Sequence, residues 1–391
     1  MECRVLKFAN RSCSASKAVT LGLTAPWCLA LCLLTIAATA RAEMVANLYD
    51  AAVPVKEQTQ SAFRRAAAKG LERVLIRVSG RSQVSDRADI ASALANPEPL
   101  VVQYRYHQPL AADTDPSAED DAPSLVLELS YSPRQVNALL QSAGLPVWSA
   151  NRPSMLVWLV ADTASGRRFV GGGEQPELQA LMTDEAERRG LPLQFPLFDL
   201  TDTANLSVNQ VWQLSATAVR EASQRYGSAY ILVGRASEFS TGQWVASWLL
   251  LDGEVARNFE SEGMGAQQAL ASAVDRVADV QAERYAVFSG GVGAGSSLIL
   301  IDGIADFHSY AALMGYLESL AIVRHANSVW VSDKELVVDL VLNDDMEKAQ
   351  RFLAMDGRLQ EVSGSGYQGS PGGVPPQLMV RNRYRWVGAE R

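Results

Sequence analysis

The sequence predicts an α+β protein of three small α/β sandwich modules, the last of them ferredoxin-like, behind an export signal. Three observations carry that expectation. Segments of helical period and segments of strand period are interleaved from about residue 44 onward. At 391 residues the chain exceeds what one hydrophobic core normally organises. Turn-forming residues cluster at Gly144-Leu145-Pro146 and at Gly290-Gly291-Val292-Gly293-Ala294-Gly295-Ser296, which sets boundaries at 43–143, 144–289, a 290–296 linker, 297–363 and a 364–391 tail.

Composition narrows the class. Hydrophobic residues at 48% and charged residues at 20% describe a globular chain, and a net charge of -8 opposes general nucleic-acid binding. Residues 1–42 read as a signal peptide: Arg4, Lys7, Arg11 and Lys17 precede an uncharged apolar stretch, and Ala40-Arg41-Ala42 offers a cleavage site that would leave Glu43 first. The alternative is an uncleaved inner-membrane anchor, since no charge falls between Lys17 and Arg41. Without those 42 residues the chain has 30 basic against 42 acidic side chains, a balance of -12. All four cysteines leave with the leader, so neither disulfides nor thiolate chemistry is expected.

In the first unit, Met44 to Val55 reads as one strand. A helix follows with Phe63, Ala67, Leu71, Val74, Leu75 and Val78 on one face, stopped at Ser79-Gly80. A shorter helix over 86–96, a strand pair at 100–107 and 125–131, and a helix capped by Ser132-Pro133 complete it. The acidic stretch Ala111 to Ala122 lacks the ligand spacing of a calcium loop and reads as solvated. The middle unit opens at Trp148, Asn151, Arg152 and Pro153, before the apolar run Met155 to Val160, whose length suits a strand covered on both faces. That opening has two readings, an aromatic core or an exposed recognition turn of Trp148, Asn151 and Arg152.

A charged helix over 176–189 comes next. Leu191 to Leu200, broken by prolines, reads as an edge strand or loop. Ser207 and Gln210 form a capping box for one helix running to Tyr226. Ala229 to Gly234 is a buried strand, Asp252-Gly253 joins a hairpin, and a long helix from Gln267 to Phe288 closes the unit. The glycines of 290–296 follow a helix and precede a strand, the wrong context for a phosphate loop. The last unit reads βαββα. The tail Leu378 to Trp386 alternates aromatic or apolar residues with arginines, either as an arginine-protected edge strand or as an anionic contact.

Chemistry-bearing patterns are few. The histidines at 107, 308 and 325 are not spaced as metal ligands, and no nucleophile elbow occurs. Asp199 and Asp202 form the best carboxylate pair for acid/base work, against a capping role. Arg152, Asp199 and Arg235 are candidates to converge at strand ends of the middle unit.

Several short motifs carry a resemblance: Tyr49-Asp50-Ala51-Ala52-Val53-Pro54-Val55, Val78-Ser79-Gly80, Pro146-Val147-Trp148, Asn151-Arg152-Pro153 with Val157-Trp158, Arg189-Gly190-Leu191-Pro192 with Asp199, Arg225-Tyr226, and Gly234-Arg235. Over about residues 44–288 the chain resembles an exported bacterial family of unknown function. Residues 222–248 are also similar to the α/β module of the translocation protein TolB's amino-terminal domain. The resemblance implies a role in binding other proteins. The expected function is therefore a periplasmic, non-enzymatic adaptor binding envelope proteins or cell-wall components. No cofactor, metal or nucleic acid is expected, and membrane contact is expected only through an uncleaved signal or the Arg381 to Trp386 tail. The alternative is an envelope hydrolase or carbohydrate-binding enzyme using Asp199 and Asp202.

Overall fold

The computed structural model describes residues 42–108, 125–288, 295–332, 335–362, 375, 378–380 and 382–388. The leader, the acidic 111–122 stretch, most of the glycine linker, most of the 364–376 stretch and Arg381 lie outside the described residues. The chain is α+β, with several sheets each backed by helices.

In the first unit, β2 (Asp50–Val55), β4 (Leu125–Tyr131) and β3 (Val101–His107) form an antiparallel sheet in the order β2-β4-β3. One face carries α1 (Gln60–Ser79), with α2 (Ala88–Ala95) and α3 (Pro133–Ser142) beside it. Every fourth or third residue of α1 from Ala67 to Val78 is buried, as its period requires. Close approach is set at Gly70, where a Cβ would fall 2.6 Å from the Tyr131 hydroxyl, which donates to the Ala67 carbonyl at 2.6 Å. Met44 to Val55 is not one strand. β1 (Ala42–Met44) pairs instead with β5 (Asn151–Pro153), and Asn47 turns the chain at φ 55° before β2 begins. Asparagine tolerates that left-handed conformation better than most residues.

The middle unit is a mixed sheet, β11-β10-β9-β6-β7, built from β6 (Met155–Thr163), β7 (Gly166–Phe169), β9 (Tyr230–Glu238), β10 (Gln243–Asp252) and β11 (Val255–Met264). β8 (Leu193–Gln194) adds a two-residue parallel pairing to β6. Strand β6 is covered on both faces. Met155, Val157, Leu159 and Ala161 enter one core under α4 (Pro176–Arg189) and α8 (Ala266–Tyr285). Leu156, Trp158 and Val160 enter a second core under α6 (Val208–Trp212) and α7 (Ala216–Ser223). The continuous apolar run thus serves two helical layers. The helix expected from Ser207 to Tyr226 is broken: the Ser207/Gln210 capping box forms, but Leu214 adopts φ 53°, and α7 restarts at Ala216. The break closes with the Ser215 amide donating to the Gln210 carbonyl.

In the last unit the sheet order is β13-β14-β12-β16-β15. Its strands are β12 (Ser296–Asp302), β13 (Val323–Val331), β14 (Glu335–Leu342), β15 (Leu359–Glu361) and β16 (Asn382–Trp386), with α9 (Phe307–Ser319) and α10 (Met346–Ala354) between them. The tail alternates as read, but it is not an edge. β16 lies parallel to β12 and holds β15 outside it. Tyr384 and Trp386 enter the core, while Arg383 and Arg385 pair with Asp302 and Glu335 at 2.9–3.2 Å. Those ion pairs and flanking strands give an interior place to a segment that looked like a protected edge. The core of this unit is continuous with that of the middle unit. The Tyr285 and Phe352 rings meet at 5.9 Å, and Lys348 donates to the Ala286 carbonyl at 2.9 Å.

Gly234 lies where β9 passes beneath Trp248 and Leu159; an added Cβ would meet the indole and fall 2.8 Å from Leu159 Cδ1. Gly234→Ala is expected to cost about 1–3 kcal/mol by overpacking. Urea denaturation checks this: the midpoint should fall at an unchanged slope, and an unmoved midpoint would show that the strand has room there.

Candidate functional site

Arg152 is built into the junction of the first and middle units. The sharp β5 segment between Ala150 and Ser154 turns its side chain inward, and none of it is exposed. All five N–H donors are used, and every acceptor is a backbone carbonyl: Nε to Ser149 at 2.9 Å, Nη1 to Arg189 at 3.1 Å and Gly190 at 2.7 Å, Nη2 to Arg77 at 2.8 Å and Trp148 at 2.9 Å. The guanidinium also stacks on the Trp148 indole, 3.7 Å from the ring centroid. Arg77 belongs to the last turn of α1, and Arg189 and Gly190 end α4. One cation therefore satisfies orphan carbonyls at the negative ends of two helices from two units. Burial pulls its pKa well below arginine's ordinary value; Arg77 adds to the drop, Tyr49 opposes it, and Arg189 adds a little more.

Around it the junction closes. The Trp148 amide donates to the Val78 carbonyl at 2.7 Å. Arg189, also fully buried, donates to the Gly80 carbonyl at 2.9 Å and pairs with Asp275 at 2.6 Å and Asp279 at 2.7 Å on α8. Gly190, at φ 63°, allows this approach: a Cβ there would lie 2.5 Å from Arg152 Nη1. The exposed-turn reading of Trp148 and Arg152 is thereby corrected, because both side chains are consumed in joining the units. Asn151 sits on β5, paired with Met44.

Beside this junction lies a cleft of about 840 Å³. One wall is the open face of the first sheet, with Asp50, Ala52, Arg105, Glu128 and Ser130. The other is the end of α4 and the segment after it, with Thr183, Glu187 and Leu193. Arg77 is at its base, donating to the Asn47 and Asp50 carbonyls at 3.0 and 2.9 Å. Burial lowers the Arg77 pKa, against the opposing charge of Glu187. Arg105 and Glu128 pair at 2.6 Å. Leu193 offers a free strand edge. Because the Met155 amide takes the Pro192 carbonyl, alternation turns the Leu193 backbone away from β6. Free backbone, an apolar side chain and charges of both signs suit an extended polypeptide.

Asp199 and Asp202 are elsewhere and face Arg225. Asp199 caps α5 (Leu200–Asn205) and holds Arg225 in a bidentate pair at 2.7 and 2.8 Å. Asp202 is 1% exposed. It accepts from Arg225 at 3.0 Å, from the Phe198 amide at 2.9 Å and from the Tyr226 hydroxyl. Burial and Asp202 push the Tyr226 phenol up to about 12, and Arg225 holds Asp199 well below the carboxylate range. These contacts lock the 195–199 segment onto Tyr226. The three residues offered as convergent do not meet: Arg235 pairs across from Val160 and donates to the Trp212 carbonyl at 3.3 Å, while Arg152 precedes the opposite end of β6. At strand rise the two positions are about 25 Å apart along the sheet.

Sequence reasoning did not single out Arg77, Asp275 or Asp279. The i,i+4 spacing of the two aspartates on the long helix was the available signal. Among the described residues, no group of His, Cys, Asp and Glu is placed to hold a metal ion. No helix among them is long and apolar enough to cross a membrane.

Arg152→Lys is expected to destabilise by roughly 3 kcal/mol, since a point ammonium cannot serve five carbonyls. Urea unfolding checks it, and wild-type stability in the variant would show that charge alone suffices. The Asp199 pair predicts acid sensitivity. Its folded pKa lies below the unfolded value of 3.8, so its stabilisation is full above that value and fades as pH falls below it. The melting-temperature gap between wild type and Asp199→Asn should be widest near neutrality and shrink below about pH 4.

A family model described as a domain of unknown function, DUF8605, matches residues 42–149. The match covers the first unit and ends just before Arg152, so it accounts for part of the 44–288 stretch on which the resemblance was read. No curated protein matches the chain.

Proposed function

We propose that the chain is an exported, non-enzymatic adaptor of the bacterial cell envelope that binds other proteins through the cleft between its first and middle units. The observation that carries this reading is the cleft itself, walled by two units whose relative position Arg152 fixes. Ligand sites favour such junctions, and a rigid two-walled groove gives a partner segment a preformed seat. The export signal and the likeness to the TolB-type module point to the same compartment and to protein partners. The carboxylate pair read as catalytic and the Thr183 hydroxyl of the cleft are engaged otherwise: Asp199 and Asp202 hold Arg225 and the 195–199 segment, and the Thr183 hydroxyl donates to the Gln179 carbonyl at 2.9 Å.

A photo-crosslinking residue placed at Thr183 or Glu128 in cells is the test. The same envelope protein should be captured from both walls, and not from an exposed position away from the cleft such as Glu254. Capture of nothing at either wall, or turnover of a cell-wall fragment by the purified protein, would sink the reading.

A further inference from the structure

A second surface lies on the other side of the first sheet's edge. Among the described residues strand β2 has one neighbour, β4, so its other edge pairs with no described strand. The outward groups belong to Asp50, Ala52 and Pro54: the Asp50 and Ala52 carbonyls accept from Arg77 and Arg73, at 2.9 and 2.8 Å, and alternation places Pro54 with them. Free edges invite a further strand, and this one is guarded by arginines and by a proline without an N–H.

The guards belong to a stripe. Arg65, Lys69, Arg73 and Arg77 follow one another at four-residue spacing along α1, on a chain that is otherwise acidic. Arg65 and Lys69 are exposed and have no hydrogen-bond or ion-pair partner among the described residues. Between them and β2 runs a hollow of about 490 Å³ whose floor includes Val53, Pro54, Val55, Ala62 and Ala66. One carboxylate, Glu57, borders the hollow and accepts from the Thr59 hydroxyl at 3.0 Å. The hollow lies at one end of β2, and the cleft reaches the other end at Asp50 to Ala52.

The two spacings correspond. Four residues of helix rise about 6 Å, and two residues of strand rise about 6.7 Å. A strand laid along β2 directs alternate side chains toward the face on which α1 packs. Acidic residues at every second position would therefore meet Arg65, Lys69 and Arg73 in succession.

We propose that the free edge of β2 and the Arg65-Lys69-Arg73 stripe dock an acidic, extended segment of a partner protein by strand addition. The incoming backbone takes the outward groups of Ala52 and Pro54, and Arg73 exchanges the Ala52 carbonyl for a carboxylate of the segment. This rests on the protein-binding reading and meets the cleft only at Ala52, the Arg65 and Lys69 end of the surface lying outside it.

The experiment measures anisotropy of a fluorescein-labelled octapeptide of alternating Glu and Val against the full exported chain, with a Lys-Val octapeptide and phosphatidylglycerol vesicles in parallel. The acidic peptide should bind, weaken steeply with added salt, and bind about tenfold more weakly to Arg65→Glu/Lys69→Glu. Both positions are exposed, and an unchanged circular-dichroism melt confirms the fold of the variant. No binding of the acidic peptide overturns the proposal. So does equal binding of the two peptides, an unaffected double variant, or association with vesicles alone. Crosslinking from the cleft walls in that double variant separates the two ideas: capture that persists there leaves the adaptor reading standing when the strand-addition site fails.

Discussion

The structure depends on a guanidinium that has no acidic partner among the described residues. Taking an arginine fully out of water costs several kcal/mol even after relaxation, and a carboxylate would be the usual remedy. Here the remedy is five carbonyls, three of them at the ends of α1 and α4. Each helix end carries about half a negative charge in unpaired carbonyls, so two together approach one counter-charge. The arrangement works only when both ends arrive at one place. It therefore fixes how the first unit sits on the middle unit, and the cleft beside it takes its shape from that constraint.

Arg189 extends the same logic in a conventional form. It pairs with Asp275 and Asp279, both partly exposed, and so draws α8 against α4 while capping the Gly80 end of α1. Glycines at 80 and 190 are needed because side chains there would collide with Ala282 and with Arg152. α8 then carries the order onward, since its last turn, at Tyr285, packs against Phe352 of the last unit. From Arg152 to the C-terminal sheet the contacts are continuous, and they frame the groove between the first and middle units.

Several arginines of this protein serve internal geometry. Arg225 fastens the proline-broken 195–199 segment, and Arg383 and Arg385 fasten the tail strand to Asp302 and Glu335. Two residues of α1 differ. Arg65 and Lys69 face solvent beside a strand edge, and there charge is left over for another molecule.

What the sequence determined by itself was local. Period and punctuation named most helices and strands: the apolar run of β6, the Ser207 capping box and the Asp252-Gly253 hairpin all depend on residues a few positions apart. The alternation of the tail was legible for the same reason. Its place in the sheet was not, because that was settled by Asp302, 81 residues away from Arg383. The junction was beyond reach for the same cause. Trp148, Asn151 and Arg152 stood out as residue types, yet whether an arginine is a recognition group or a buried clamp depends on carbonyls 37 to 75 residues distant. Those groups have no signature in the sequence, since every residue has a carbonyl, and only the folded chain decides which of them end a helix beside a cation.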